Sequence, residues 1–214
     1  NVAFVEHLDD RIGRVLATLR QTGLDKNTLV VFSADNGGSL PHAQNNEPWR
    51  GGKQDHYDGG LRIPFIMSRP GFVQPGSRSD YAGLNFDLVP TFLELAGGTH
   101  PTELGDRKPL PLDGRSLAPI FRGESLSPRG SLAWRVPQHR VLRSGDWKLI
   151  SRDEDTPWEL YNLATDRSET RNLASSNPGK LNELAAIWKA HESRWRRGAG
   201  WRHPAPGTGR PASA

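Results

Sequence analysis

Leu29-Val30-Val31-Phe32-Ser33-Ala34-Asp35-Asn36-Gly37-Gly38 is an apolar run that stops at a carboxylate, a carboxamide and two glycines. Upstream, Val5, Leu8, Ile12, Val15, Leu16 and Leu19 recur at helical spacing, and Gly23 supplies the stop. An amphipathic helix followed by a short, nearly all-apolar strand over 28–34 is the pattern of a sheet covered on both faces by helices. The expected fold class is therefore α/β.

In open α/β sheets, ligands collect beyond the carboxyl ends of the strands, which is where Asp35 and Asn36 fall. A carboxylate beside an amide carbonyl offers two hard oxygens suited to Ca²⁺ or Mg²⁺. The same residues also read as a turn, since Asp, Asn and Gly are common turn formers. Downstream, residues 39–60 show no periodicity, and a structureless stretch of that length in a compact fold is usually functional or disordered. Within it, Gly51, Gly52, Gly59 and Gly60 flank Lys53. Paired glycines let a backbone approach a ligand closely, so Lys53 reads as an anion-binding lysine, with an ordinary surface lysine as the alternative.

Farther on, a strand is expected over Arg62–Ser68, turning at Arg69-Pro70-Gly71. A helix through Leu84–Leu95 ends at Gly97-Gly98, with Asn85 or Asp87 as N-cap and Pro90 near its first turn. Leu112–Leu117 leads into a short helix ending at Gly123. From about residue 130 the pattern changes to alternating strands: Arg140–Arg143 and Trp147–Ser151 joined through Ser144-Gly145-Asp146, then Trp158–Leu163. Leu181, Leu184, Ala185, Trp188 and Trp195 line one face of a closing helix. The expected organisation is 1–127 as part of an α/β domain, 128–197 as a small antiparallel sheet with a helix, and 198–214 as a disordered tail.

Composition narrows the function classes. A hydrophobic share of 35%, with 17 Pro and 23 Gly and no initiator methionine, suits a piece of a larger protein. The net charge of +4 is concentrated in residues 187–214, where six Lys or Arg face the single acid Glu192. That describes a basic terminus more than a nucleic-acid surface. The chain has no cysteine, so it can form neither a disulfide nor a thiolate metal site. No apolar run approaches the roughly 20 residues of a membrane helix.

Taken in order, these motifs resemble the carboxyl-terminal half of the formylglycine-dependent sulfatases, arylsulfatase-like members of the alkaline-phosphatase-like superfamily. The likeness rests on Val5–Gly13, Asn27–Gly38, Arg50–Pro64, Asp87–Phe92, Leu112–Leu117, Gly145–Leu149 and Trp158–Leu163. It implies the carboxyl-terminal portion of an alkaline-phosphatase-like α/β sandwich followed by a small antiparallel sheet and helix. It also implies that Asp35 and Asn36 ligate a divalent metal, Ca²⁺ before Mg²⁺, and that Lys53 binds a sulfate oxygen. The family's nucleophile, a formylglycine made from the Cys or Ser of a Cys/Ser-x-Pro-x-Arg motif, has no match. Ser68-Arg69-Pro70-Gly71-Phe72 ends in Phe where arginine is required. The expected partner is therefore a missing amino-terminal half of the catalytic domain, and the isolated chain is expected to be inactive. By the same resemblance alone, the protein is expected to be periplasmic or secreted.

Among His42, His56 and His139, His56 is best placed for substrate contact, three residues after Lys53. Trp134, Trp147 and Trp158 read as core residues, with sugar stacking as the alternative. Two other functions remain open: a phosphonate monoester or phosphodiester hydrolase of the same superfamily, and a noncatalytic polyanion-binding module led by the basic tail.

Overall fold

A computed structural model describes residues 2–42, 45–136 and 139–198; the basic tail expected after residue 198 lies outside the described residues. The chain forms two compact units, one from Asn1–Asn45 with Leu61–Arg129, the other from Asn46–Gly60 with Gly130–Ala214.

In the first unit, α1 (Val2–Gln21) ends at Gly23, whose φ of 69° is the left-handed value a glycine stop supplies. Strand β1 (Val30–Ser33) pairs antiparallel with β2 (Phe65–Ser68) in register Val30↔Ser68. This differs from the sheet buried on both faces that the apolar run suggests. Ile66 is 60% exposed, Phe32 and Phe65 each remain over a third exposed, and Phe4 on α1 is 81% exposed. Apolar composition states that a segment needs covering. It does not state what covers it, and the described residues leave these side chains open.

After the single helical turn α2 (Asp58–Leu61), helix α3 (Leu88–Leu95) is preceded by a tight turn at Asn85–Asp87. Asp87 does not cap α3 through its side chain. It is fully buried, pairs with Arg129, and accepts the backbone N–H groups of Leu84 (2.8 Å) and Arg115 (2.9 Å). Thr91 Oγ1 donates to the Asp87 carbonyl at 2.6 Å and accepts the Leu117 N–H at 2.9 Å. These bonds strap Leu112–Leu117 along α3 and lead into α4 (Ala118–Phe121). Gly114 is required there by room, because a Cβ would lie 2.3 Å from the Phe86 carbonyl oxygen.

In the second unit, β3 (Leu132–Val136), β4 (His139–Ser144), β5 (Trp147–Ser151) and β6 (Glu159–Asn162) form an antiparallel meander in chain order. The β4–β5 hairpin closes Ser144↔Trp147 through two residues, with Gly145 at φ 57°, as a two-residue hairpin turn with glycine first requires. Alternation along the strands then sorts the sheet. Leu142, Leu149 and Leu160 are cross-strand neighbours on one face, where Leu184 and Trp188 of the closing helix (Pro178–Gly198) complete a core. Trp158 meets Trp188 edge-on at 5.7 Å, and the Arg140 guanidinium lies 4.5 Å from the Trp158 ring centre. Lys148, Ile150 and Tyr161 point to the other face, and residues 46–60 pack there.

Candidate active site

Asp35 and Asn36 sit in the first unit directly beyond β1. Asp35 is exposed and its Oδ1 accepts the Asn36 N–H at 3.0 Å. Asn36 Nδ2 donates to the Gly37 carbonyl at 2.7 Å, which fixes the amide so that its Oδ1 is the atom left to accept or ligate. Asp35 likewise retains Oδ2. One carboxylate and one amide oxygen, both hard and both available, fit a Ca²⁺- or Mg²⁺-type cation. Among the described residues no cluster of three or more His, Cys, Asp or Glu could hold a metal ion.

Lys53 and His56 belong to the second unit. The chain turns through Gly52-Lys53-Gln54-Asp55, closed by the Asp55 N–H donating to the Gly52 carbonyl at 2.8 Å and by Asp55 Oδ2 accepting the Gly52 N–H at 3.1 Å. Gln54 takes the positive φ of 76° that the third position of such a turn can demand. Lys53 is exposed at its tip, and among the described residues its ammonium has no ion-pair partner. Behind it the Gly59 N–H donates to the Arg50 carbonyl at 2.8 Å and staples the two stems, while the Gly60 N–H donates to the Tyr57 carbonyl at 2.9 Å within the second stem. A solvated ammonium on a hydrogen-bonded turn is suited to meeting an anion.

His56 is almost enclosed, at 6% exposure, and its Nδ1 lies 2.8 Å from His139 Nδ1. Such a contact is a hydrogen bond only if one imidazole donates and the other accepts. Burial pushes the His56 pKa down to about 4, with His139 and the Lys148 ammonium adding to the effect and Asp55 opposing it. Because the folded pKa lies below the ordinary value, the folded state binds fewer protons than the unfolded chain between those pH values. The resulting stability is complete above about pH 6.5 and is lost as pH falls towards 4, a change of roughly 3 kcal/mol. Urea unfolding of the 214-residue chain at pH 7 and pH 4.5 is expected to show this loss, and His56→Gln is expected to flatten it. An equally steep dependence in the variant would assign the effect elsewhere.

Several site-building residues were not visible in the sequence. Lys148, 1% exposed, forms ion pairs with Asp58 Oδ1 (2.6 Å) and Glu169 Oε1 (2.7 Å). Arg50 Nη1 donates to Tyr161 Oη (2.8 Å) and to the Glu169 carbonyl (3.0 Å), and its guanidinium lies 3.9 Å from the Tyr57 ring centre. Tyr57 and Tyr161 both donate to Glu159 Oε2, and burial together with that carboxylate raises both phenol pKa values. The one local signal was Lys148 itself, a lysine flanked by Trp147 and Leu149 in a largely apolar strand. A lysine there requires carboxylates nearby.

The sulfatase family model matches residues 2–98, and the model for the N-sulphoglucosamine sulphohydrolase C-terminal domain matches 52–191. A sulfatase from Formosa agariphila is 35% identical over 87% of this chain, and the match spans 38% of that protein. The crystal structure of Ps i-CgsB in complex with k-i-k-neocarrahexaose superposes with TM-score 0.73 at 28% identity, covering 92% of this chain and 43% of that one. The phosphonate monoester hydrolase SpPMH from Silicibacter pomeroyi gives TM-score 0.63 at 28% identity, over 88% of this chain and 38% of its own. The chain thus spans about two fifths of each of these three proteins and carries the carboxyl-terminal part of their alkaline-phosphatase-like α/β fold. On these matches, the chain belongs to the sulfatase family.

Proposed function

We propose that the protein carrying this chain hydrolyses sulfate esters, with Asp35 and Asn36 supplying two oxygen ligands to Ca²⁺, or Mg²⁺ in its place, and Lys53 binding a sulfate oxygen. The observation that carries this reading is the pair of oxygens held open beyond β1, together with an unpaired ammonium on a stapled turn. A bound divalent cation would supply Lewis-acid stabilisation of developing negative charge. The Gly37 contact engages the Asn36 amide nitrogen and leaves its oxygen to ligate, and Lys53 offsets charge on the transferring sulfuryl group. His56 would offer substrate its Nε2, since Nδ1 is engaged with His139. The nucleophile, a formylglycine by family resemblance, would come from sequence outside these 214 residues, which contain no Cys/Ser-x-Pro-x-Arg match. That remaining part would also cover the apolar side chains of α1 and of the β1–β2 sheet.

A phosphonate monoester or phosphodiester hydrolase is the second reading, favoured by the likeness to the Silicibacter pomeroyi enzyme. Assaying the complete encoded protein with an aryl sulfate and an aryl phosphonate separates the two. A higher kcat/KM for the sulfate supports the proposal, and preference for the phosphonate overturns it.

A further inference from the structure

Glu169 touches both stems of the turn that presents Lys53. Its carbonyl accepts Arg50 Nη1 at 3.0 Å on one stem, and its Oε2 accepts the Asp58 N–H at 2.6 Å on the other. Its Oε1 meets Lys148, which in turn pairs with Asp58 Oδ1, so the second stem is held twice. Glu169 is fully buried and has a φ of 55°, a left-handed backbone that a non-glycine residue adopts only where its surroundings demand it. A tight turn imposes that backbone. The Asp166 carboxylate gathers the N–H groups of Thr170 (2.9 Å) and Arg171 (2.8 Å), and the Asp166 carbonyl accepts the Glu169 N–H at 3.3 Å. Burial pushes the Glu169 carboxyl pKa up while the Lys148 ammonium opposes the rise, as expected for an enclosed acid held beside a cation.

This arrangement does more than hold the sheet together. The leucine core between the sheet and the closing helix lies on the opposite face and includes none of these groups. Through their side chains and the Glu169 carbonyl, these groups hold Arg50 and Asp58, the two ends of the segment whose tip is Lys53. We propose that Glu169, acting with Lys148 and Asp58, is a positioning residue for Lys53: it clamps the two stems and thereby sets the affinity of that lysine for an anion. This rests on the reading of Lys53 given above. The sheet unit then serves as the mount for an anion-binding turn contributed from earlier in the chain.

The test has two arms. In the 214-residue chain, Glu169→Ala is expected to speed amide hydrogen exchange at Asp55, Asp58, Gly59 and Gly60 by about tenfold or more. The β4–β5 amides should keep their wild-type rates. A uniform increase across the unit, or no change at 55–60, overturns the clamp. If Glu169→Ala fails to fold, Asp58→Asn removes one ion pair at the edge of the cluster and is read the same way. In the complete encoded protein, with inorganic sulfate as probe, Glu169→Gln is expected to weaken binding about threefold to tenfold in the wild-type background and not at all in Lys53→Ala. Equal weakening in both backgrounds overturns positioning through Lys53. Should Lys53→Ala itself leave sulfate affinity unchanged, the reading of Lys53 falls, while the exchange arm still decides the clamp.

Discussion

Lys53→Ala is expected to lower kcat/KM for an aryl sulfate by about 10²–10³ in the complete encoded protein, with no measurable loss of stability. The two halves of this expectation have separate causes. Lys53 is exposed at the tip of its turn and lacks an ion-pair partner among the described residues, so truncating it removes no folded-state contact. Surface changes of that kind usually alter stability by no more than about 0.5 kcal/mol. If the ammonium offsets charge that develops as the sulfuryl group transfers, its loss removes a preorganised electrostatic contact worth about 2.7–4 kcal/mol in comparable sites. Lys53→Arg keeps the charge but spreads it over a planar fork, and should recover only part of the rate. Steady-state kinetics beside a thermal melt checks both halves. Full activity in Lys53→Ala would remove this residue from the site.

Gly59→Ala is expected to destabilise the fold strongly, as is Gly60→Ala, whose Cβ would meet the Asp55 and Gly52 carbonyl oxygens at 2.2 and 2.3 Å. A Cβ at residue 59 would lie 2.2 Å from the Gly51 carbonyl oxygen and 2.5 Å from that of Arg50. Both neighbours are backbone, which cannot rotate aside. The same approach carries the Gly59 N–H to Arg50 bond that closes the stems, so relief of the clash breaks the staple. Overpacking against fixed atoms costs typically 1–3 kcal/mol, and the lost bond takes the expected total to about 3 kcal/mol or more. Urea unfolding of the 214-residue chain measures this, and a change under about 0.5 kcal/mol would contradict the packing described. Glycine is needed here for room. At Gly145, by contrast, it is needed for its positive φ.

Local chemistry was legible in the sequence. The strand ending at Asp35-Asn36, the glycine-flanked lysine, the Gly145 hairpin and the leucine face of the closing helix each depend on residues a few positions apart. Period and turn chemistry report such features directly. The clamp was not legible, because its contacts join residues 90, 111 and 119 positions apart and no local pattern encodes them. Asp87 shows the same limit. Its position before a helix suggests a cap, but Arg129, 42 residues away, captures its carboxylate. Burial was also hidden: the apolar run at β1 fits a sheet covered on both faces, yet much of the β1–β2 pair stays exposed. Hydrophobicity specifies burial without naming the surface that provides it.

The measurement closest to the central claim is aryl sulfate turnover by the complete encoded protein, chelated and then titrated with Ca²⁺, in wild type and in Asp35→Ala. The account predicts wild-type turnover that is lost on chelation and restored saturably by the cation, with Asp35→Ala slower by about a thousandfold or more at any Ca²⁺ concentration. Wild-type turnover and an unchanged Ca²⁺ response in Asp35→Ala would contradict it.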